Sequence, residues 1–199
     1  MNAPLLSMPG EDVCRDTLAR NRAARLARAA HLARGREVAA ADVVALLDTL
    51  IEPGDRVCIE GNNQKQADFL SRCLLATDPS RVRELHLVQS VLALPEHLDV
   101  FERGVASKLD FSFSGPQAGR VAKLAAAGKL NIGAIHTYLE LFSRYFIDLP
   151  PRVALVAAEA ADRHGNLYTG PNTEDTPPIV EATAFKNGIV IVQVNRIVD

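Results

Sequence analysis

Short apolar runs alternate along the chain with longer stretches in which apolar residues recur every three or four positions. The short runs predict buried strands, and the longer stretches predict helices with one apolar face. The predicted strands are residues 57–59, 84–90, 108–115, 130–135, 152–160 and 188–195. The predicted helices are residues 43–51, 67–74, 95–104, 116–128, 138–145 and 179–185. This alternation predicts an α/β fold, an open and largely parallel sheet with helices on both faces.

The first part of the chain differs from the rest. Residues 1 to 10 contain Pro4, Pro9 and Gly10, and we predict that they are disordered. From Glu11 to Arg36 the chain is rich in alanine and arginine, which predicts a basic helix with a thin apolar stripe. We therefore predict a flexible and helical extension over 1–37 and a compact domain over 38–199. The helix is either a docking surface for an acidic partner or a solvated helix lying on the domain.

Composition narrows the class of protein. The 199 residues are 48% apolar and 23% charged, which suits one globular domain, and the net charge of −2 gives no general reason to expect nucleic acid as a partner. The cysteines Cys14, Cys58 and Cys73 form no C-x-x-C pair, which favours a reducing setting. No apolar stretch is long enough to span a membrane, and no signal peptide is evident. We expect a cytoplasmic protein that binds no membrane.

The segment EGNNQKQ, residues 60–66, is the main candidate for a ligand site. It joins a predicted strand to a predicted helix, and ligands of open α/β sheets bind at such loops, where the helix presents free N–H groups. Gly61 permits close backbone approach, and Asn62 and Asn63 tolerate left-handed conformations. The segment has more amides and charges than a turn needs, counting Glu60, Gln64, Lys65 and Gln66. The alternative is an ordinary strand-to-helix connection.

Two further polar clusters follow predicted strands. His136 can orient a carboxylate, or it can be a core histidine bonded to a neighbouring carbonyl. In the run 161–175, Asp162 predicts a turn closed by its own side chain, and His164 is expected to be exposed. The loop 172–175, which begins at Asn172, is either a substrate or interdomain contact or a solvated loop. The sequence contains no metal-ligand spacing, no P-loop and no G-x-G-x-x-G, so we expect no bound metal.

Several of these motifs resemble a known family. A-D-x-x-G-N-L, an Asn loop, an A-T-A helix and V-x-V-N-x-I-V are similar to the first domain of the family I coenzyme A transferases. These residues are Ala161, Asp162, Gly165, Asn166, Leu167, Asn172, Ala182 to Ala184, Val192, Val194, Asn195, Ile197 and Val198. The resemblance covers about residues 38 to 199. Within that family, EGNNQKQADFL, HLVQSVLALPEHLDVFERG and LDFSFSGPQAG resemble the malonate decarboxylase α subunits.

The resemblance implies an acyl-carrier-protein transferase, in which acetyl-S-ACP and malonate give malonyl-S-ACP and acetate. It implies a glutamate nucleophile in a second domain, which this chain lacks, so that Glu60 positions other groups rather than attacking the thioester. Backbone and side-chain donors at Gly61, Asn62, Asn63 and Gln64 would then take the place of the family's Gly-rich oxyanion loop. The implied partners are the acyl carrier protein, which supplies a phosphopantetheine arm, and the decarboxylase subunits. No cofactor is expected to be covalently bound to the chain itself.

Other functions stay open at this stage. The chain can belong to another coenzyme A transferase or to a citrate lyase type of acyl transferase. It can also be a sugar-phosphate-sensing domain without catalytic activity, since a fold does not fix an activity. A sensor of that kind is expected to carry a Ser, Thr, Gly or Lys cluster at a helix N-terminus, whereas this chain offers amides. The chain stops directly after a predicted core strand, which we interpret as a cut through a larger polypeptide.

Overall fold

A computed structural model describes residues 11–62, 65–170 and 174–199, with side chains from Arg15 onward. The disorder predicted for residues 1–10, and the site roles predicted for Asn63, Gln64 and Asn172, fall outside the described residues. The helices are α1 (Glu11–Ala29), α2 (Val43–Leu50), α3 (Asp68–Leu75), α4 (Glu96–Glu102), α5 (Ala118–Ala126), α6 (Tyr138–Ile147) and α7 (Thr176–Phe185). The strands are β1 (Ala33–Arg34), β2 (Glu37–Val38), β3 (Arg56–Ile59), β4 (Leu85–Val91), β5 (Ala106–Phe113), β6 (Asn131–Ile135), β7 (Val153–Asp162), β8 (Leu167–Tyr168) and β9 (Ile189–Val198).

Among the described residues the main sheet has seven strands, and its central strand is β3. Strands β4, β5 and β6 follow β3 on one side as parallel neighbours, whereas β7 pairs in parallel with the other side of β3. Strand β9 lies parallel to β7, and the short β8 pairs antiparallel with the end of β7. Successive strands are therefore added on one side of β3 up to β6, and the next strand, β7, is added on the other side. The predicted open and largely parallel sheet is confirmed.

Helices cover both faces of this sheet, as predicted. On one face, apolar residues of α2, α3, α4 and α5 pack with Val57, Leu87 and Leu109 of the strands. On the other face, α6 and α7 pack through Tyr145 and Ile179 against apolar strand residues. Because successive strand residues point to opposite faces, odd-numbered residues of β3 and β4 face the first layer, and even-numbered residues face α6 and α7.

The basic N-terminal helix is shorter than predicted. Helix α1 ends at Ala29, a 3-10 turn covers Ala30–Leu32, and β1 and β2 form a two-stranded antiparallel hairpin. The prediction of one helix through Arg36 is wrong beyond that point. The hairpin turn contains Gly35 with φ of +67°, a conformation that glycine adopts at little cost and that ends the helical pattern. The domain boundary near residue 38 stays a prediction.

Arg25 anchors α1 to the body of the protein. Its guanidinium forms ion pairs with Glu52, at 2.7 Å, and with Asp55, just before β3. It also donates to the Leu50 carbonyl oxygen at 3.3 Å. The Arg25 and Asp55 side chains are only 11% and 8% exposed, so this pair is screened less than a surface ion pair. One arginine of the basic helix therefore has a packing role.

Arg25→Ala is expected to lower the free energy of unfolding by about 2 kcal/mol, because it leaves the buried Asp55 carboxylate without its cation. Chemical denaturation of the chain measures this loss. Arg22→Ala is the matched control, since Arg22 is exposed on the same helix; its effect is expected to stay within about 0.5 kcal/mol. Equal effects of the two substitutions would contradict the anchoring role of Arg25.

Candidate functional site

Buried polar side chains meet at the carboxyl end of β3, on the face covered by α6 and α7. Glu60 directly follows β3, Ser90 belongs to β4, Asp175 is the N-cap of α7, and Thr176 is its first residue. These four residues are at most 2% exposed. They lie where β3 has β4 on one side and β7 on the other, and such switch points are where open α/β sheets bind ligands.

Glu60 is held by hydrogen bonds from three different segments. Its Oε2 accepts the backbone N–H of Ala157 in β7 at 2.7 Å. Its Oε1 accepts the Thr176 hydroxyl and lies 3.1 Å from Nζ of Lys65. The Lys65 ammonium also donates to the Thr176 hydroxyl oxygen at 2.5 Å. A fully buried carboxylate is stable only when paired in this way, and Glu60 therefore links β3, β7, α7 and the loop that follows β3.

The loop after β3 folds back on itself. Gly61 and Gln66 form an antiparallel bridge, and the Asn62 side-chain oxygen accepts the Lys65 N–H at 2.8 Å. Asn62 is 3% exposed, so the turn holds its amide in a fixed position. A Cβ at Gly61 would lie 2.9 Å from the Gln66 side-chain oxygen and 3.1 Å from the Val91 carbonyl oxygen. Only glycine allows this approach of the loop to β4.

Asp175 carries the most perturbed carboxyl group of this cluster. Its Oδ2 accepts a hydrogen bond from the Ser90 hydroxyl, which also lies 2.7 Å from the Gly61 carbonyl oxygen. Burial raises the pKa of Asp175 to about 6, and the negative charges of Glu174 and Glu60 add to the increase. The Ser90 hydrogen bond and the Lys65 charge oppose it. Asp175 is therefore far more easily protonated than a solvated aspartate.

The raised pKa of Asp175 predicts a pH-dependent stability. The folded protein binds this proton more tightly than the unfolded chain does, so the stabilising contribution is complete below about pH 4 and is lost as the pH rises to about 6. Between pH 4 and 7, the free energy of unfolding of the wild type is expected to fall by about 2 kcal/mol relative to Asp175→Asn. Urea denaturation across this range measures the difference. A difference that stays constant with pH would contradict the raised pKa.

His136 lies in a second cluster on the same face of the sheet. Its Nε2 is 2.8 Å from Oδ1 of Asp110, and its Nδ1 is 3.2 Å from Oε1 of Glu140. Nε2 of His86 is 2.6 Å from the other oxygen of Asp110. Burial alone would raise the pKa of Asp110, but the hydrogen bonds from the two histidines outweigh it and hold that pKa below its usual value. An added Cβ at Gly133 would overlap the Asp110 carboxylate.

The structure brings together some of the predicted site residues and separates others. Glu60, Gly61 and Asn62 belong to the buried cluster at β3. His136 follows β6, which is three strands away from β3, or about 14 Å at the usual strand spacing. It bonds a protein carboxylate, not the neighbouring carbonyl considered as the alternative. The sequence analysis missed Ser90, Asp110 and Thr176 as members of these clusters. Asp110 could have been identified as a candidate because it is a charged residue inside the strand-like run 108–115, at a position that is buried in the fold.

The turn after β7 has the predicted local structure. The Asp162 carboxylate accepts the backbone N–H groups of His164 and Asn166, each at 2.9 Å, and His164 is exposed. In the described part of the chain no cluster of His, Cys, Asp or Glu has the geometry to hold a metal ion. Nor does any helix there have the length and apolar character needed to cross a membrane. Cys58 and Cys73 are buried free thiols.

The fold places the chain in a broad structural class. An acyl-CoA transferase from Escherichia coli O157:H7 superposes with a TM-score of 0.63 at 16% identity, over 83% of this chain and 43% of that one. Identity this low shows the fold alone. The architecture is therefore that of a coenzyme A transferase domain, as predicted.

The sequence then identifies the family. The family model "Malonate decarboxylase, alpha subunit, transporter" matches residues 15–199, and the chain belongs to this family. The acetyl-S-ACP:malonate ACP transferase of Malonomonas rubra is 60% identical over 156 residues, which cover 78% of this chain and 28% of that protein. The resemblance noted from the sequence motifs is confirmed.

Two solved structures agree with this assignment. A chain in the crystal structure of a Pseudomonas malonate decarboxylase hetero-tetramer in complex with malonate is 56% identical, with a TM-score of 0.91 over 96% of this chain and 34% of that chain. The malonate decarboxylase alpha subunit from Acinetobacter baumannii is 51% identical, with a TM-score of 0.89 over 92% and 33% of the two chains. The chain thus spans about a third of the length of these relatives.

Proposed function

We propose that this chain is part of an acyl-carrier-protein transferase that converts acetyl-S-ACP and malonate into malonyl-S-ACP and acetate. The observation that carries the proposal is the 60% identity to the Malonomonas rubra enzyme named for that reaction. Because the matched region is 28% of that enzyme, the activity is assigned to a longer polypeptide. We use "family-length subunit" for a polypeptide of the relatives' length that contains these 199 residues.

The loop after β3 supplies the proposed oxyanion donors. When a carboxylate attacks a thioester, negative charge develops on the carbonyl oxygen, and donors already fixed in position stabilise that charge most effectively. We assign this role to Gly61, Asn62, Asn63 and Gln64. Two features support the assignment: the loop lies at the sheet switch point, and the Asn62 amide is buried and held by its own turn.

Glu60 is proposed to position this loop and not to attack the substrate. Both of its carboxylate oxygens accept hydrogen bonds from within the protein, and Lys65 neutralises its charge, so it is a poor nucleophile in this geometry. The attacking glutamate is expected in the part of the family-length subunit outside this chain. His136 has both ring nitrogens on protein carboxylates, which favours a supporting role at the sheet edge. Asn172 stays a predicted substrate contact.

The proposed partners follow from the reaction. A carrier protein brings the acyl group on a phosphopantetheine arm, and the decarboxylase subunits consume the malonyl thioester. The Pseudomonas relative was crystallised as a hetero-tetramer, which supports an assembly with other subunits. No cofactor attached to this chain and no metal enters the proposed chemistry.

The test is the transfer reaction itself. The family-length subunit, incubated with acetyl-S-ACP and isotopically labelled malonate, is expected to move the label onto the carrier protein and to release acetate. The 199-residue chain alone is expected to unfold cooperatively but to transfer nothing, because the attacking glutamate is proposed to lie outside it. Transfer by the chain alone would place a nucleophile within it, with Glu60 as the first candidate. Absence of transfer by the family-length subunit would overturn the proposed function.

A further inference from the structure

Two buried oxygen atoms next to Ser90 have no hydrogen-bond partner among the described residues. They are Oδ1 of Asp175 and Oγ of Ser112. The other Asp175 oxygen, Oδ2, accepts from Ser90, and the register of β4 and β5 places Ser112 opposite Ser90 on the same face of the sheet. Buried polar atoms are nearly always paired, so two orphans on either side of one serine indicate a place for a polar ligand.

The chemistry of these two oxygens selects the ligand. Asp175 is 1% exposed, and an ionised carboxylate with one oxygen buried and unpaired is costly. A proton on Oδ1 removes the charge and turns that oxygen into a donor that needs an acceptor. The Ser112 hydroxyl is also a donor without an acceptor. The two donors lie on either side of Ser90, and together they match the two oxygens of a carboxylate anion.

We propose that protonated Asp175, through Oδ1–H, and Ser112, through Oγ–H, bind one carboxylate of the acid substrate, and that binding draws a proton from solvent onto Asp175. The inference rests on the proposed function, because it takes malonate as that acid. The proton moves from solvent to Oδ1 without any covalent bond being formed or broken in the ligand. In this role Asp175 is a residue that selects anionic substrates.

The charged groups around Asp175 favour this linkage. The charges of Glu60, which follows β3, and of Lys65, in the next loop, offset each other, whereas Glu174 adds negative charge. The titratable groups that reach Asp175 from other elements are Tyr138 and Tyr145 of α6 and Cys58 of β3. Burial raises the pKa of all three, so they stay neutral near pH 7. A bound anion therefore adds a negative charge that protonation of Asp175 offsets.

Calorimetry with malonate measures the linkage directly. Titrations of the family-length subunit at pH 7.5, in two buffers that differ in ionisation enthalpy, are expected to show uptake of about one proton for each malonate bound. Because the pKa of unliganded Asp175 is about 6, the Kd is expected to rise by up to about tenfold for each pH unit above 7. Asp175→Asn keeps a donor without a titrating proton. It is expected to bind malonate with no proton uptake and with a Kd independent of pH.

Two further variants make the result decisive. Glu181→Gln removes a carboxylate from the exposed surface of α7 and is expected to retain the proton uptake of the wild type. Ser112→Ala is expected to weaken malonate binding by about tenfold while uptake persists, which tests the site even if Asp175→Asn does not fold. Proton-independent binding by the wild type, or unchanged affinity in Ser112→Ala, would overturn this site and leave the transferase proposal standing. No malonate binding at any pH would overturn both proposals.

Discussion

Replacing Glu60 by alanine is expected to lower the free energy of unfolding by about 4 kcal/mol, the largest effect on stability that we predict for a single residue. The substitution leaves the Lys65 ammonium, the Thr176 hydroxyl and the Ala157 N–H without their shared acceptor in a buried setting. Removal of one partner from a buried ion pair costs far more than the pair contributes, because the remaining charge is uncompensated. Since domains are stable by about 5–15 kcal/mol, such a loss comes close to unfolding the chain.

The matched control for Glu60 is an exposed carboxylate on a neighbouring strand. Glu159 of β7 bonds Asn195 at 2.7 Å and lies 3.8 Å from Arg196, and its side chain is 46% exposed. Glu159→Ala is expected to cost less than about 1 kcal/mol, since exposed ion pairs contribute little. Chemical denaturation of both variants provides the comparison. A loss below about 1 kcal/mol for Glu60→Ala would mean that its network of hydrogen bonds does not hold the switch point together.

Replacing Asn62 by alanine is expected to reduce the transfer turnover of the family-length subunit by about 100-fold, the usual effect of losing one oxyanion donor. The reason is that the amide is expected to donate to the oxygen that becomes negative during attack on the thioester. The measurement is single-turnover transfer of the acetyl carrier protein, together with the affinity for malonate. Affinity is expected to change little, because the interaction forms in the transition state.

A second substitution separates the donor role of Asn62 from its structural role. In the folded loop the Asn62 side-chain oxygen accepts the Lys65 N–H. Asn62→Asp keeps that acceptor and the shape of the side chain, but replaces the NH₂ donor by an oxygen. Turnover is expected to stay low in Asn62→Asp if the amide is a donor. Recovery of turnover in Asn62→Asp, or normal turnover in Asn62→Ala, would assign Asn62 to closing the loop alone.

The sequence was sufficient for the fold because the local patterns and the tertiary structure agree. The run 153–158 is continuously apolar, and these residues of β7 are at most 7% exposed because helices cover both faces of the sheet, so no solvated face interrupts the pattern. The prediction was wrong beyond Ala29, where the Arg- and Ala-rich composition continues but Gly35 turns the chain into a hairpin. Composition alone does not predict this turn, because the residues on either side of Gly35 are compatible with a helix.

The sequence predicted some residues of the candidate site but not the contacts between them. Glu60 and Asn62 stand out because they follow an apolar run directly. The contacts of Glu60 with Ala157 and Thr176 join residues about 100 positions apart, and no local spacing reports such contacts. Asp175 appeared as one polar residue in a polar loop. Asp175 is buried because α7 packs against the sheet. That packing involves strands distant in sequence, so the loop sequence alone does not predict it.

The central position of β3 also determines when each of its two edges can pair during synthesis of the chain. Val57 of β3 pairs with β4 in the next crossover, but its second partner, Val153, emerges from the ribosome only about 100 residues later. At about 5–20 residues per second, one edge of β3 stays unpaired for roughly 5–20 seconds. Pairing so distant in sequence makes folding slow, and an unpaired apolar strand edge is prone to aggregate. The yield of soluble protein is therefore expected to increase when chaperones that shield such edges are supplied.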